Sequence, residues 1–198
     1  MTGSWRKFPM NKSKRLVFFG NERLSSGFTP AREDSALQAL IANGYDIAAV
    51  IAHHGGGTSR SKRELEIESI AKEYEIPVLL PNKPTDIEDE LRSFNADAAV
   101  LIAYGRIIPE RIINLFPRGI INIHPSLLPM YRGPIPIEQA ILDGAPKTGV
   151  SVMALTKEMD AGPVYVQAEV LLSGDETKFE LTRRLFAQGS SLLIQHLP

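Results

Sequence analysis

The 198-residue chain carries 22 Lys and Arg against 23 Asp and Glu, a formal net charge of −1, so no global basic field advertises nucleic-acid binding and any such contact needs a local patch. An apolar fraction of 43% and a charged fraction of 23% fit one globular domain long enough to bury a sizeable core. The absence of cysteine excludes disulfides, thiolate-bound zinc and a thiol nucleophile and fits a cytoplasmic setting, and no apolar run is long enough to span a bilayer.

Residues 1–14 contain Arg6, Lys7, Lys12 and Lys14 but no apolar stretch of signal-peptide length; they read as a disordered lead-in, with Met10 as an alternative start. Arg15-Leu16-Val17-Phe18-Phe19 is a continuous apolar run closed by Gly20, the pattern of a strand buried on both faces. The turn Gly20-Asn21-Glu22 lacks the glycine spacing of a dinucleotide site. Residues 32–43 have helical spacing, with Leu37, Leu40 and Ile41 on one face and Asn43-Gly44 as the stop. Asp46 to Ala52 is a second strand.

The glycine- and serine-rich stretch from His53 to Arg63 follows, made locally basic by Arg60, Lys62 and Arg63. It is either a solvated loop or a clamp for a polyanion such as RNA. Neighbouring histidines face opposite ways on an extended chain, and no carboxylate stands near His53-His54, so no metal site is expected. Ser61-x-x-Glu64 offers a capping box ahead of a stripe of Ile67, Ile70, Ala71 and Tyr74. Pro77 to Leu80 is a brief strand. Thr85-x-x-Glu88 is a second capping box, opening a helix that buries Ile87, Leu91 and Phe94, and Ala98 to Ala103 is the next long strand.

Strands alternating with helices predict an α/β fold: a Rossmann-like, mostly parallel sheet with helices on both faces. Ligands in such sheets sit beyond the carboxyl ends of the strands, which directs attention to Gly20, His53, Tyr104-Gly105-Arg106 and His124. Pro134 to Leu142 reads as a helix. Gly149 to Leu155 and Val164 to Val170 alternate around Asp160-Ala161-Gly162, predicting an antiparallel hairpin near the C-terminal end. The tail from Asp175, with Phe179, Leu181, Leu185, Phe186, Leu192 and Leu193, has helical spacing.

Chemistry concentrates in Gly119 to Gly133. Asn122 and His124 are two residues apart, so on a strand both side chains face one way while Ile121 and Ile123 face the other, and Pro125 ends the strand. One reading is a base beside an oxyanion donor; the other is a loop with a capped Asn and a surface His. Asp160 also reads two ways, as the residue that orients the imidazole or as a turn Asp bonded to its own backbone. Asn, His and Asp together suit acyl or formyl transfer through a tetrahedral intermediate, and the lack of a nucleophile elbow favours direct transfer.

Four blocks, Asn122-Ile123-His124-Pro125-Ser126-Leu127-Leu128-Pro129, Tyr131-Arg132-Gly133-Pro134, Thr148-Gly149-Val150-Ser151-Val152 and Met159-Asp160-Ala161-Gly162, together resemble the 10-formyltetrahydrofolate-dependent formyltransferase family, from about Arg15 to Leu185. Ala103-Tyr104-Gly105-Arg106-Ile107-Ile108-Pro109 and the basic loop after the second strand resemble most the catalytic domain of its methionyl-tRNA-dependent branch. The resemblance implies a catalytic trio of Asn122, His124 and Asp160, and 10-formyltetrahydrofolate as donor with no metal. It implies a folate pocket lined by Arg106, Ile107, Ile108, Leu155 and Met159, with Ser126, Leu127, Leu128 and Pro129 shaping the floor of the formyl site. Arg60, Lys62, Arg63 and Arg132 are then the residues expected to meet the acceptor, most simply initiator methionyl-tRNA. Sugar-nucleotide amines and other small amines are alternatives, as is a non-catalytic, folate-binding regulatory module. Gly20-Asn21-Glu22-Arg23 does not match the phosphate loop of the glycinamide ribonucleotide branch. Residues 15–198 are expected to form the catalytic domain, without the C-terminal barrel-like domain with which the tRNA enzyme holds its substrate. The chain is thus expected to be a fragment, a minimal form, or an enzyme for a smaller acceptor.

Overall fold

Continuous apolar segments become central strands because both of their faces must be covered. In the computed structural model, which describes residues 15–21, 35–53 and 66–197, β1 (Arg15–Gly20) runs parallel between β2 (Asp46–Ile51) and β4 (Ala98–Ile102). β3 (Val78–Leu79) extends the parallel set beyond β2, and β5 (Ile120–His124) extends it beyond β4. β6 (Lys147–Ala154) and β7 (Val164–Leu171) then add antiparallel, giving the order β3-β2-β1-β4-β5-β6-β7. The expected mixed α/β sheet is thus the observed one. The order reverses at β1, the switch point beyond which open α/β sheets leave a crevice.

Helices cover both faces. Leu37 and Leu40 of α1 (Ala36–Ala42), Ile67 and Ile70 of α2 (Glu66–Glu73), Ile137 of α5 (Pro136–Leu142) and Leu181, Leu185 and Leu193 of α6 (Lys178–His196) share one core with Phe18, Val100, Ile121 and Ile123. Leu91 of α3 (Glu88–Ser93) and Ile112 of α4 (Glu110–Ile113) share the other with Val17, Phe19, Tyr104 and Phe116. Neighbouring strand residues alternate between the two cores, as the pleat requires.

Several boundaries differ from the sequence reading for local reasons. Ser35 caps α1 by accepting the Gln38 N–H at 3.3 Å, and residues 32–34 lie outside those described. Tyr74, expected on the buried stripe of α2, follows its last turn and is exposed. The second capping box is not formed by Thr85. A 3-10 turn, Pro84–Ile87, precedes α3 and its cap is the Lys83 N–H donating to Asp86 at 3.0 Å, since Pro84 is pre-set for the first helical position and moves the start forward. α4 was not expected, because four residues are too few to show a period. The lead-in 1–14, the basic loop and the Ser61 capping box lie outside the described residues.

The first strand of the C-terminal hairpin is more deeply built in than its alternation predicts, whereas β7 keeps exposed residues. Ser151, Val150, Val152 and Met153 are all buried: α6 packs on one face, with Gly189 against Ile123 and Val150, and Leu127 presses on Gly149. At Gly149 and Gly189 a Cβ would collide with these neighbours, so close approach explains both glycines. Among the described residues no helix is long and apolar enough to cross a membrane.

Candidate active site

A cavity of about 700 Å³ lies beyond the carboxyl ends of the parallel strands, within the size range of small-molecule sites. β5 brings two polar side chains to it. Asn122 and His124 line the cavity while remaining only 6% and 5% exposed, and Ile121 and Ile123 point into the opposite core. The Asn122 carboxamide makes no hydrogen bond to a described residue, so its N–H groups are available to an occupant.

The His124 imidazole is oriented from two sides. Its Nε2–H donates to the Tyr131 carbonyl at 2.9 Å; a carbonyl only accepts, so the ring proton resides on Nε2. Nδ1 faces Asp160 Oδ2 at 3.6 Å, beyond a direct hydrogen bond yet close enough for strong attraction once the ring is charged. The same carboxylate oxygen accepts the Gly133 N–H at 2.8 Å. Segment 131–133 therefore braces both catalytic candidates, one through a carbonyl and the other through an amide. Tyr131 (φ 55) and Asp160 (φ 49) hold the left-handed conformation, which costs a non-glycine residue roughly 1–2 kcal/mol; such strain concentrates at functional sites. Burial, together with the negative charge of Asp143, pushes the pKa of the Tyr131 hydroxyl up.

The tip of β4 forms another wall. Ala103 takes φ 48 and Gly105 φ 73, turning the chain sharply so that Tyr104 is buried edge-on to Phe19. Burial pushes the Tyr104 hydroxyl up to about 12 against a smaller lowering by Arg106, keeping it protonated at neutral pH. Arg106 is anchored through its guanidinium to the Asn82 carbonyl.

The family model describing formyl transferases matches residues 24–197. The chain belongs to the formyl transferase family. It is 38% identical over 188 residues to the methionyl-tRNA formyltransferase of Chloroflexus aggregans, covering 93% of this chain and 58% of that protein. It is 34% identical to the methionyl-tRNA formyltransferase of Thermotoga maritima, covering 92% of this chain and 57% of that protein. The chain thus spans a little over half the length of these relatives. Among solved structures, phosphoribosylglycinamide formyltransferase from Bacillus halodurans superposes with a TM-score of 0.73 at 25% identity, covering 91% of each chain.

The geometry brings Asn122, His124 and Asp160 to one cavity, together with Arg106, Ile107, Ile108, Leu155 and Met159. Ser126, Leu127, Leu128 and Pro129 do not line it. The resemblance placed them on the floor; the structure places them behind His124, where the segment is sewn to the hairpin. Ser151 Oγ donates to the Ser126 carbonyl at 2.6 Å and accepts the Leu128 N–H at 3.1 Å, while Gln167 Nε2 donates to the Leu128 carbonyl at 2.9 Å. Ser126 Oγ closes the turn by donating to the Met130 carbonyl at 2.6 Å. Arg132 is exposed and also lies off the cavity lining, because the backbone on either side of it is turned inward to His124 and Asp160. Arg60, Lys62 and Arg63 lie outside the described residues.

The sequence reading missed the far wall, where Ile137 and Glu138 of α5 meet Lys178 and Phe186 of α6 and Lys178 pairs with Glu138 at 2.6 Å. No motif marks Glu138, Lys178 or Phe186, which approach the site only through helix packing. The bracing groups of Tyr131 and Gly133 are main-chain atoms, to which no residue letter corresponds.

Proposed function

We propose that this chain transfers a formyl group from 10-formyltetrahydrofolate to a primary amine, with initiator methionyl-tRNA as the acceptor. The observation that carries the reading is the meeting of Asn122, His124 and Asp160 in one cavity. Its apolar flank of Ile107, Leu155 and Met159, beside Arg106, suits a flat heteroaromatic ring with a polar rim. When bound, the folate supplies a formyl group carried on nitrogen and open to attack by an amine.

Asn122 donates its carboxamide N–H to the formyl oxygen as that oxygen gains charge, a contribution of about 3–4 kcal/mol for a preorganised donor. His124 exchanges the proton at Nδ1, since Nε2–H is committed to Tyr131: it takes the proton lost by the attacking amine and returns it to the leaving nitrogen. Asp160 stands beside Nδ1 to stabilise the transient imidazolium and is itself fixed by Gly133. The names of the methionyl-tRNA-dependent relatives support the acceptor. Arg60, Lys62, Arg63 and Arg132 are proposed to contact its phosphates, in a cytoplasmic setting.

The test is tetrahydrofolate release with a panel of charged initiator tRNA, amino-sugar nucleotides and small amines. Charged initiator tRNA is expected to be the productive acceptor. His124→Ala is expected to lower turnover by about 10²- to 10⁴-fold with the melting temperature retained. Near-wild-type turnover in that variant would discard the mechanism, and no release with any amine would favour the non-catalytic folate-binding module.

A further inference from the structure

Away from Asn122 and the His124–Asp160 pair, two buried polar atoms of residues lining the cavity have no hydrogen-bond partner among the described residues, the Tyr104 hydroxyl and His53 Nδ1, and only the second belongs to a ring whose position is fixed by a hydrogen bond of its own. His53 follows β2, and its backbone N–H donates to the Asn21 side chain at 2.9 Å. Its ring reaches past the end of β1, which separates β2 from β4 in the sheet, and donates Nε2–H to the Tyr104 carbonyl at 2.6 Å. The ring also stands edge-on to that of Tyr104, with centroids 5.5 Å apart and planes at 80°. Gly105 closes the other side, where an added Cβ would lie 3.4 Å from Nε2. Ring position and tautomer are therefore both fixed.

With the proton on Nε2, Nδ1 presents a lone pair. That atom is buried with no hydrogen-bond partner among the described residues, and His53 lines the cavity. An unpaired buried acceptor is costly to keep, so its retention in the wall of a ligand-sized cavity calls for a donor brought by the occupant. No described carboxylate pairs with His53 as Asp160 does with His124, so the arrangement serves recognition and not proton transfer.

We propose that Nδ1 of His53 is a specificity-determining acceptor that takes a hydrogen bond from an N–H or O–H group of the molecule bound in the cavity. An occupant presenting its own acceptor there sets two lone pairs against each other without water to separate them, and is rejected. The identity of the occupant rests on the formyl-transfer reading, in which both the folate and the amine-bearing acceptor carry such donors.

Two near-isosteric replacements separate this role from a structural one. His53→Gln keeps a donor near the Nε2 position, for the Tyr104 carbonyl, and loses the acceptor. His53→Asn keeps an acceptor near the Nδ1 position and loses that donor. Isothermal titration with tetrahydrofolate and with charged initiator tRNA is expected to show His53→Gln weakening one of them about 3- to 10-fold, the size of one neutral hydrogen bond. The KM of the same molecule rises in step, kcat moves less, and His53→Asn recovers most of the affinity; the ligand that responds identifies the source of the donor. The proposal is overturned if His53→Gln binds both ligands as wild type does, or if His53→Asn is the more damaged variant. Nitrogen NMR of the wild-type imidazole adds a measurement independent of turnover and of variant folding. A proton on Nε2 in the free protein and a ligand-induced shift at Nδ1 are expected, whereas a proton on Nδ1 in the free protein overturns the proposal. Should wild type release no tetrahydrofolate with any amine, the formyl-transfer reading fails while the tautomer and the Nδ1 response still decide this one.

Discussion

Asp160 joins two interactions that can be separated by changing a single atom. Its carboxylate oxygen faces His124 Nδ1 at 3.6 Å and accepts the Gly133 N–H at 2.8 Å. In Asp160→Asn an oxygen remains for Gly133, and Asn tolerates the left-handed backbone at least as well as Asp. The charge facing the imidazole is gone. Turnover is expected to fall by about 10²-fold or more, with stability within about 0.5 kcal/mol of wild type, read from single-turnover rates and from thermal denaturation. Asn122→Ala removes the proposed oxyanion donor and is expected to lower kcat by about 10²- to 10³-fold, while the KM for the folate changes far less; an equal loss in binding would assign Asn122 to ground-state recognition. At this scale the sequence was legible where side chains carry the chemistry. Period two on β5 placed Asn122 and His124 together, and the strand-tip rule drew attention to His53 and Tyr104. It was not legible where backbone atoms act: nothing in the letters at 131 or 133 tells that a carbonyl fixes the tautomer of His124 or that an amide holds Asp160.

The β6–β7 hairpin and the loop joining its strands carry Asp160 to the cavity, so their packing sets where that carboxylate stands against His124. Gly162 passes so close to the end of β6 that an added Cβ would collide with the Ala154 carbonyl, in the same place where the Ala154 N–H donates to the Pro163 carbonyl at 2.9 Å. Gly162→Ala is expected to push the 156–162 loop outward and withdraw Asp160 from His124, costing activity more than stability. The measurement is kcat beside Tm, and a variant with wild-type kcat would show that the loop is not the positioning element. Ser151, fully buried, ties the hairpin to the turn behind His124. Ser151→Ala strands the Ser126 carbonyl and the Leu128 N–H, at roughly 1–3 kcal/mol for a buried group left unpaired, a fall in Tm of several degrees for a domain of this size. Alternation around a glycine-containing loop made the hairpin itself legible. The burial of β6 on both faces was not, because the cover on one side is α6, the last helix of the chain, and on the other the turn at Leu127, and both meet β6 only in the folded molecule.

At the scale of the whole molecule, the parallel strands end in the crevice that holds the candidate site while the antiparallel pair closes one side of the sheet, and α6 fastens that side to the rest. The order in which strands lie was beyond the sequence, since register and neighbour choice depend on contacts between distant segments; only the alternation of strands with helices, and hence the class of fold, could be read. The link between β7 and α6 is a compact turn built on Glu176, whose carboxylate accepts the backbone N–H groups of Ser173 at 2.7 Å and Gly174 at 3.0 Å, with Arg184 3.5 Å away. The Ser173 N–H is the strongest of the contacts that lower the Glu176 pKa from 4.5 to about 2, outweighing the burial that raises it. A carboxyl group that is more acidic in the folded chain than in the unfolded one stabilises the fold when ionised in both. The contribution of Glu176 is therefore complete above pH 4.5 and is lost progressively as the pH falls toward 2. Urea unfolding of wild type and Glu176→Gln across pH 3–7 is expected to show the wild-type advantage growing with pH up to about 4.5 and constant above it. A difference that stays flat across the acid range would mean that the turn is held by its geometry alone, and that the charge of Glu176 plays no part in fastening α6 to the sheet.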